Sequence, residues 1–540
     1  MTQHSLWCNS LARDLAGITK DSPDIPGGVI ERDPTTNAPT GILAENACGP
    51  VKQFMTRTQP QMTQAVGYAV KYLNRMGFTA FKEPMAFEDD LRTYKAADDR
   101  GELTLHAGAH IVRTSPFSPN AVSYDDLERL RTDYASENLR TSFAKLFLDG
   151  VAPSFTASFI EPYLESAGYD AASHDPQATL LMQPDDLNTT LIELDQRGFV
   201  LKMHAVGDNA VRAALNAIEA ARKANGDSGL RHEVSHNSFV HPDDIPRFAK
   251  LNAIAEMSPK LWFPNPATAA QIAVLGPQRA SRSHPIGDLI KANAELTYAS
   301  DWPAAAPDAN PWTGLSGMLD RKDATGGYPA DQAISLAQAL PLFTINGARP
   351  LGMQSETGSL RAGKWADFIV IDDALSSLTP HQIGAIEVRQ TYWKGRPIGK
   401  ASAFTRSADW QREPVADSYH RAARFWKPSV SRRFTRARPK SHHPTHPAPV
   451  AQPAPALPLG KNLWTPQVAT GRHCDFGIEW SYNKKPPRPS QRHTSAGGPE
   501  DNHTQGENQD QNTLETRHLT PDDGCTCLRR ANVVAAAAGR

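Results

Sequence analysis

The sequence predicts an α/β protein built on a parallel, barrel-like sheet. Three observations carry this. Short apolar, strand-like runs alternate with helical periodicity through the first 350 residues. Seven such runs recur at the spacing of βα units, which build parallel sheets. The pattern changes twice, past residue 350 and again near 430, so the ordered part is bounded.

The runs, in order, are Phe78–Phe81, Leu103–Ala107, Phe143–Leu148, Phe199–His204, Glu233–His236, Ala253–Met257 and Leu296–Ser300. Before the first, Val66, Ala69, Val70 and Leu73 make a helical stripe. After the fourth, Val211, Ala214, Leu215 and Ile218 fall at i, i+3, i+4 and i+7, which is an amphipathic helix with Asp208 placed to cap it. Helical patterns also fall at 246–251 and 286–292. Past residue 350 a glycine-bearing turn from Gly358 runs into a strand ending at Ile371. A second strand, 387–393, ends at Lys394-Gly395-Arg396-Pro397. Two or three antiparallel strands make a poor domain alone, so they need a partner.

The chain has 540 residues, and 39% of them are hydrophobic, below an ordinary globular chain. The deficit sits at the end, where 14 of the 43 prolines fall in the last 113 residues. His442, His443 and His446 lie among prolines, and 486–517 is polar with almost no aliphatics. Such a chain buries too little apolar surface to offset its ordering entropy. The expected organisation is a barrel over 1–350, a small β-sandwich remnant over 351–404, a linker over 405–430 and a disordered tail over 431–540. Lys+Arg 57 against Asp+Glu 58 excludes a globally basic nucleic-acid binder and an acidic solvating chain. Cys8, Cys48, Cys474, Cys525 and Cys527 are few and scattered, so no disulfide framework is implied. No stretch approaches about 18 consecutive apolar residues, and none spans a membrane by that measure. The expectation is a protein of a reducing, cytoplasmic compartment.

Four strand ends carry chemistry. Lys145 lies inside an apolar run, His204 and His236 end successive strands, and Asp301 follows the last. In a parallel barrel the C-terminal strand ends converge on one mouth, where active sites sit. Neutral imidazole and carboxylate are standard zinc ligands, and lysine normally is not. A lysine buried in a strand is costly unless neutralised or modified, and carbamylation by CO2 would make it an anionic oxygen ligand. Each residue also has a plainer reading: a core histidine, a turn aspartate, a snorkelling lysine. Lys202 shares a strand face with His204 and is equally a candidate for the buried lysine.

Several motifs are more specific. His-Ala-Val-Gly-Asp at 204–208, Arg-His-Glu-Val-Ser-His at 231–236 and Ser-Asp-Trp-Pro at 300–303 resemble the amidohydrolase superfamily, in its amidohydrolase-3 (YtcJ-like) branch, which includes N-substituted formamide deformylases. The segments 4–12, 145–150 and 357–371 are similar to it as well, so the resemblance covers roughly 1–400. It implies a TIM-like, metal-dependent barrel that hydrolyses non-peptide carbon–nitrogen bonds in small amide-type substrates such as formamides. It implies one or two divalent ions, zinc or another. Lys145, carboxylated, would bridge the ions, and His204 and His236 would bind one of them. Asp301 would ligate, accept the proton of the attacking water and pass it to the leaving nitrogen. A homodimer is compatible with the resemblance; nucleic acid and membrane are not expected partners.

The chain departs from the family pattern in two ways. The His-x-His that ends the family's first barrel strand is not found before residue 78, and His106 with His110 has the wrong spacing. The chain is therefore expected to begin after strand one, leaving a seven-stranded, open barrel with two unpaired edges. Ser235 stands where the family usually has glutamate, which alters how the neighbouring ligand is oriented. Three readings follow: a working hydrolase with an N-terminus beyond this sequence, an inactive remnant or pseudoenzyme with a binding role, or a scaffold acting through its tail. Substrate-pocket loops are expected at 115–120 and 260–267. Trp262, Phe263, Trp302 and Trp312 are candidate apolar walls or rim packing.

Overall fold

The structure is a computed structural model describing residues 4–115, 121–262, 267–304, 306, 308–321, 330–400 and 532–534. The chain divides into one unit of 1–409 with 525–540 and a second of 410–524. The second, with the expected linker and almost all of the expected tail, lies outside the described residues.

An antiparallel sheet of β1 (Ser5–Trp7), β2 (Gly28–Arg32) and β3 (Pro39–Glu45) comes first, in the order β1-β3-β2. The sequence reading did not identify these strands; β3 alone has a buried, apolar run, Leu43-Ala44, to signal it.

The seven expected barrel strands follow: β4 (Ala80–Ala86), β5 (His106–Val112), β6 (Leu139–Phe147), β7 (Val200–Ala205), β8 (Glu233–His236), β9 (Ile254–Met257) and β10 (Glu295–Tyr298). They form one sheet in strict sequence order, every pair parallel. β4 and β10 are its ends, as expected for an open barrel. The second strand starts later than expected, because Leu103 and Leu105 are buried in a turn where Thr104 bonds back to Glu102. Helices follow the strands, Glu88–Asp99, Tyr124–Tyr134, Pro184–Gln196 and Asp208–Asn225 among them. The Asp208–Asn225 helix buries Val211, Ala214, Leu215 and Ile218, the predicted stripe. Asp208 is its first residue and not its cap; Gly207 holds that place, and Asp208 accepts instead from the Ile160 amide at 2.8 Å. The apolar layer between sheet and helices includes Leu146, Leu201, Met203, Val234 and Ala255, all fully buried.

Past 350, β11 (Phe368–Ile371), β12 (Gln390–Trp393) and β13 (Arg396–Lys400) form the expected small antiparallel sheet. Lys394 and Gly395 both have positive φ and make the two-residue turn between the last two. β14 (Asn532–Val534) pairs with β11, so these three residues of the expected tail are a strand. His106 Nε2 meets Asp367 Oδ2 at 2.8 Å, and Thr391 Oγ1 donates to the Asn74 carbonyl at 2.6 Å, so buried polar bonds tie this sheet to the barrel.

Candidate active site at the barrel mouth

The strand register builds the site. Lys145 pairs with Lys202 and Lys202 with Glu233, while His204 pairs with Ser235 and Ser235 with Glu256, so the strands from β6 to β9 present two successive polar rows. Asp301 follows β10 with φ of 50°, left-handed backbone uncommon for a residue other than glycine. Lys145, His204, His236 and Asp301 all line one cavity of about 340 Å³, so the four expected residues are brought together.

His204 is 3% exposed and is held from behind. Its Nδ1 lies 3.2 Å from Asp149 Oδ1. Asp149 also accepts from the amides of Val206, Gly207 and Ser158, at 2.9, 2.8 and 3.0 Å. Burial pushes the Asp149 pKa up to about 8, against the pull of those three amides. With Nδ1 engaged by Asp149, Nε2 is the ring nitrogen through which His204 could ligate. Burial, with His4, His236 and Lys145 nearby, holds the His204 pKa well below the ordinary imidazole value. His236 bonds Ser258 Oγ at 3.1 Å through Nδ1. Burial and then Lys145 lower its pKa to about 3, so both imidazoles are neutral at pH 7. Burial and the Glu256 charge raise Asp301 to about 7.

The two lysines are distinguished by their neighbours. Lys202 Nζ bonds Glu256 Oε2 and lies 3.3 Å from Glu233 Oε2. Burial opposes its charge, but the two carboxylates outweigh burial and raise its pKa. Lys82 bonds Glu233 from β4, and His110 Nε2 reaches the same carboxylate at 3.4 Å. Lys145 makes no ion pair among the described residues; its Nζ sits 4.7 Å over the Phe147 ring. Burial and then the Lys202 charge bring its pKa down to about 7. Burial thus disfavours the charge on Lys145, while its two carboxylate neighbours keep Lys202 charged.

The donor set can be tested against a divalent ion. Zn–N bonds of about 2.0–2.1 Å in a tetrahedral site put two imidazole centroids about 5 Å apart. The His204 and His236 centroids are 5.0 Å apart. His236 Nδ1 is 4.0 Å from Asp301 Oδ2. Donor types and ring spacing fit; among the described residues, no three His, Cys, Asp or Glu side chains have yet converged to ligating positions.

A model described as the amidohydrolase family matches residues 1–398. The chain belongs to the amidohydrolase family. Among its relatives, Protein LONG AFTER FAR-RED 3 of Arabidopsis thaliana is 28% identical over 69% of this chain, which spans 63% of that protein's length. An N-substituted formamide deformylase of Arthrobacter pascens is 25% identical, over 73% of this chain and 71% of its own. A metal-dependent hydrolase of Pyrococcus horikoshii shares the fold, with a TM-score of 0.51 and 22% identity over 67% of this chain and 68% of its own.

In this amidohydrolase, the residues missed from sequence are those behind the mouth. Asp149 lies within the segment 145–150 that resembled the family, and His4 within 4–12, but neither stood out as a site residue. Glu233 and Glu256 were legible only as polar breaks in apolar strands. Ser235 is buried with its Oγ unpartnered among the described residues, and Glu256 stands opposite it in register on the next strand. Of the candidate walls, Trp302 lines the mouth. Trp262 is fully buried, donating to the Gly317 carbonyl at 3.3 Å, and Trp312 lines a separate cleft. Phe263 lies outside the described residues. No helix among the described residues is long and apolar enough to cross a membrane.

Proposed function

We propose that this amidohydrolase is a metal-dependent hydrolase of non-peptide carbon–nitrogen bonds, with amides or formamides as the substrate class. One observation carries the reading: two neutral imidazoles, His204 buried and His236 partly so, at the spacing of ligands on one ion, beside Asp301, at the ends of successive parallel strands. The name of the Arthrobacter relative supports the formamide end of that class. His204, His236 and Asp301 would hold the ion, zinc being the ordinary choice for this donor set. When bound, it supplies Lewis acidity to the scissile carbonyl and to a water. Asp301 accepts the proton of the attacking water and returns it to the leaving nitrogen as the C–N bond breaks. Lys145, whose charge burial disfavours, is the group to be carboxylated: its amine form adds to the carbon of CO2 and loses a proton, becoming an anionic oxygen donor. Trp302, which lines the mouth and packs on Tyr72 with ring centroids 5.3 Å apart, presents an apolar flank to the substrate.

The test is metal content of the full chain, purified without chelator and passed through a sizing column. Bound divalent metal in the wild type, lost in His204→Ala and His236→Ala, is expected, followed by turnover in a panel of amides that includes formanilide. A folded, monodisperse, metal-free wild type would overturn the reading and favour a binding role instead.

A further inference from the structure

We infer that His4 is a third imidazole of the mouth, a nitrogen donor to the same ion as His204 and His236. This rests on the metal-dependent reading above. His4 immediately precedes β1, is 7% exposed and lines the mouth cavity. Its ring centroid is 4.8 Å from that of His204, matching the spacing of about 5 Å expected for two imidazoles on one tetrahedral ion. His204 thus stands between two imidazoles at ligand spacing, His4 and His236.

The support behind His4 repeats the support behind His204. Antiparallel pairing of β1 with β3 brings Glu45 opposite His4, and the Glu45 amide donates to the His4 carbonyl at 2.9 Å. His4 Nδ1 lies 2.8 Å from Glu45 Oε2, and Glu45 is fully buried. A carboxylate on Nδ1 fixes the proton there and leaves the lone pair on Nε2, the arrangement that metal-ligating histidines adopt. The second Glu45 oxygen accepts from Thr156 Oγ1 at 2.8 Å. Thr156 belongs to the same loop that closes on Asp149, whose Oδ2 accepts from Ser158. One loop therefore locks both histidine–carboxylate pairs. Gly150 is what lets Glu45 come so near, because a Cβ there would stand 2.0 Å from Glu45 Oε1 and 2.2 Å from Thr156 Oγ1. A buried carboxylate with all this backing has a structural use if the histidine in front of it must be aimed.

The experiment measures zinc affinity by chelator competition and the visible spectrum of the cobalt(II) form, on the full chain. The variants are His4→Ala, His4→Cys, Glu45→Gln and, as reference, His204→Ala. The expectation is a loss of roughly 100-fold or more in affinity for His4→Ala, and roughly 10–100-fold for Glu45→Gln. His4→Cys should add a thiolate-to-cobalt charge-transfer band absent from the wild type, which a change acting only on folding cannot produce. Wild-type affinity and spectrum in His4→Ala, with binding lost in His204→Ala, would overturn the inference and leave the hydrolase reading standing. No specific metal binding by the wild type would overturn both.

Discussion

Asp195 offers the sharpest test of how the barrel is held together away from its mouth. Its carboxylate is buried and takes four side-chain donors: His232 Nε2 at 3.0 Å, Arg222 Nη1 at 3.2 Å, Ser228 Oγ at 2.6 Å and Asn225 Nδ2 at 2.9 Å. His232 in turn accepts from the Leu201 amide at 3.1 Å, so the network reaches β7. Replacing Asp195 with alanine removes the carboxylate partner of a partly buried guanidinium and of a buried imidazole. Breaking a buried charge pair by removing one partner costs about 3–5 kcal/mol, and that is the expected loss in urea unfolding at pH 7. Asp195→Asn keeps the size and some of the bonding, and should lose about 2–3 kcal/mol. The pH dependence follows from the sign of the shift. Burial opposes the Asp195 charge, but His232, Ser228 and Asn225 outweigh it and hold the pKa below the ordinary carboxylate range. A depressed folded pKa means stabilisation that is complete above the unfolded value, about 3.9, and is lost as pH falls through the folded value. The gap between wild type and Asp195→Asn should therefore be constant from neutral pH to about 5 and narrow below about pH 4. Asp195 raises the His232 pKa against burial, so the acid limb of the comparison is made in a His232→Asn background, where no imidazole titrates beside the carboxylate. A loss under about 1 kcal/mol at pH 7, or a gap that widens in acid, would refute the reasoning.

Three further outcomes are expected. Lys202→Met should destabilise the chain by about 3–5 kcal/mol by leaving Glu233 and Glu256 short of a cation, and adding Glu256→Gln should recover much of that; no recovery in the double variant, read by urea unfolding, would contradict the pairing. Cys48 is fully buried, and burial raises its pKa to about 11, so native Cys48→Ala and wild type should take up equal numbers of maleimides, the difference emerging only on denaturation. Gly207→Ala would place a Cβ 1.9 Å from the Ser158 carbonyl oxygen, so a backbone shift costing about 3 kcal/mol or more is expected, and an unchanged melting temperature would show that the loop is not seated there.

The barrel strands were legible because each is a short apolar run bounded by polar turns, and burial on both faces writes that pattern directly. The Asp208–Asn225 helix was legible for the same reason, its stripe being local. β1 was not, since Ser5–Trp7 is three half-buried or exposed residues whose strand character comes from pairing with Leu43 and Ala44, some forty residues away. His204, His236 and Asp301 were readable as candidates because each stands at a strand end, and strand ends of a parallel sheet share one side. Asp149 and Glu45 could not be read this way. Their roles depend on a loop and a hairpin folding back over the mouth, which no local spacing encodes.

The buried lysine shows where sequence stops and tertiary structure decides. Sequence alone fixed two lysines, Lys145 and Lys202, in adjacent apolar strands, and the family to which the chain belongs. It did not say which lysine is charged. Parallel register sets them side by side, but β7 borders β8 while β6 does not. Glu233 and Glu256 therefore fall within reach of Lys202 and leave Lys145 over an aromatic ring. A carboxylate within about 3 Å keeps an ammonium charged in a buried site, and its absence lets burial neutralise the amine. Charge state follows from through-space distance, and distance between strands is set only when the sheet closes its order.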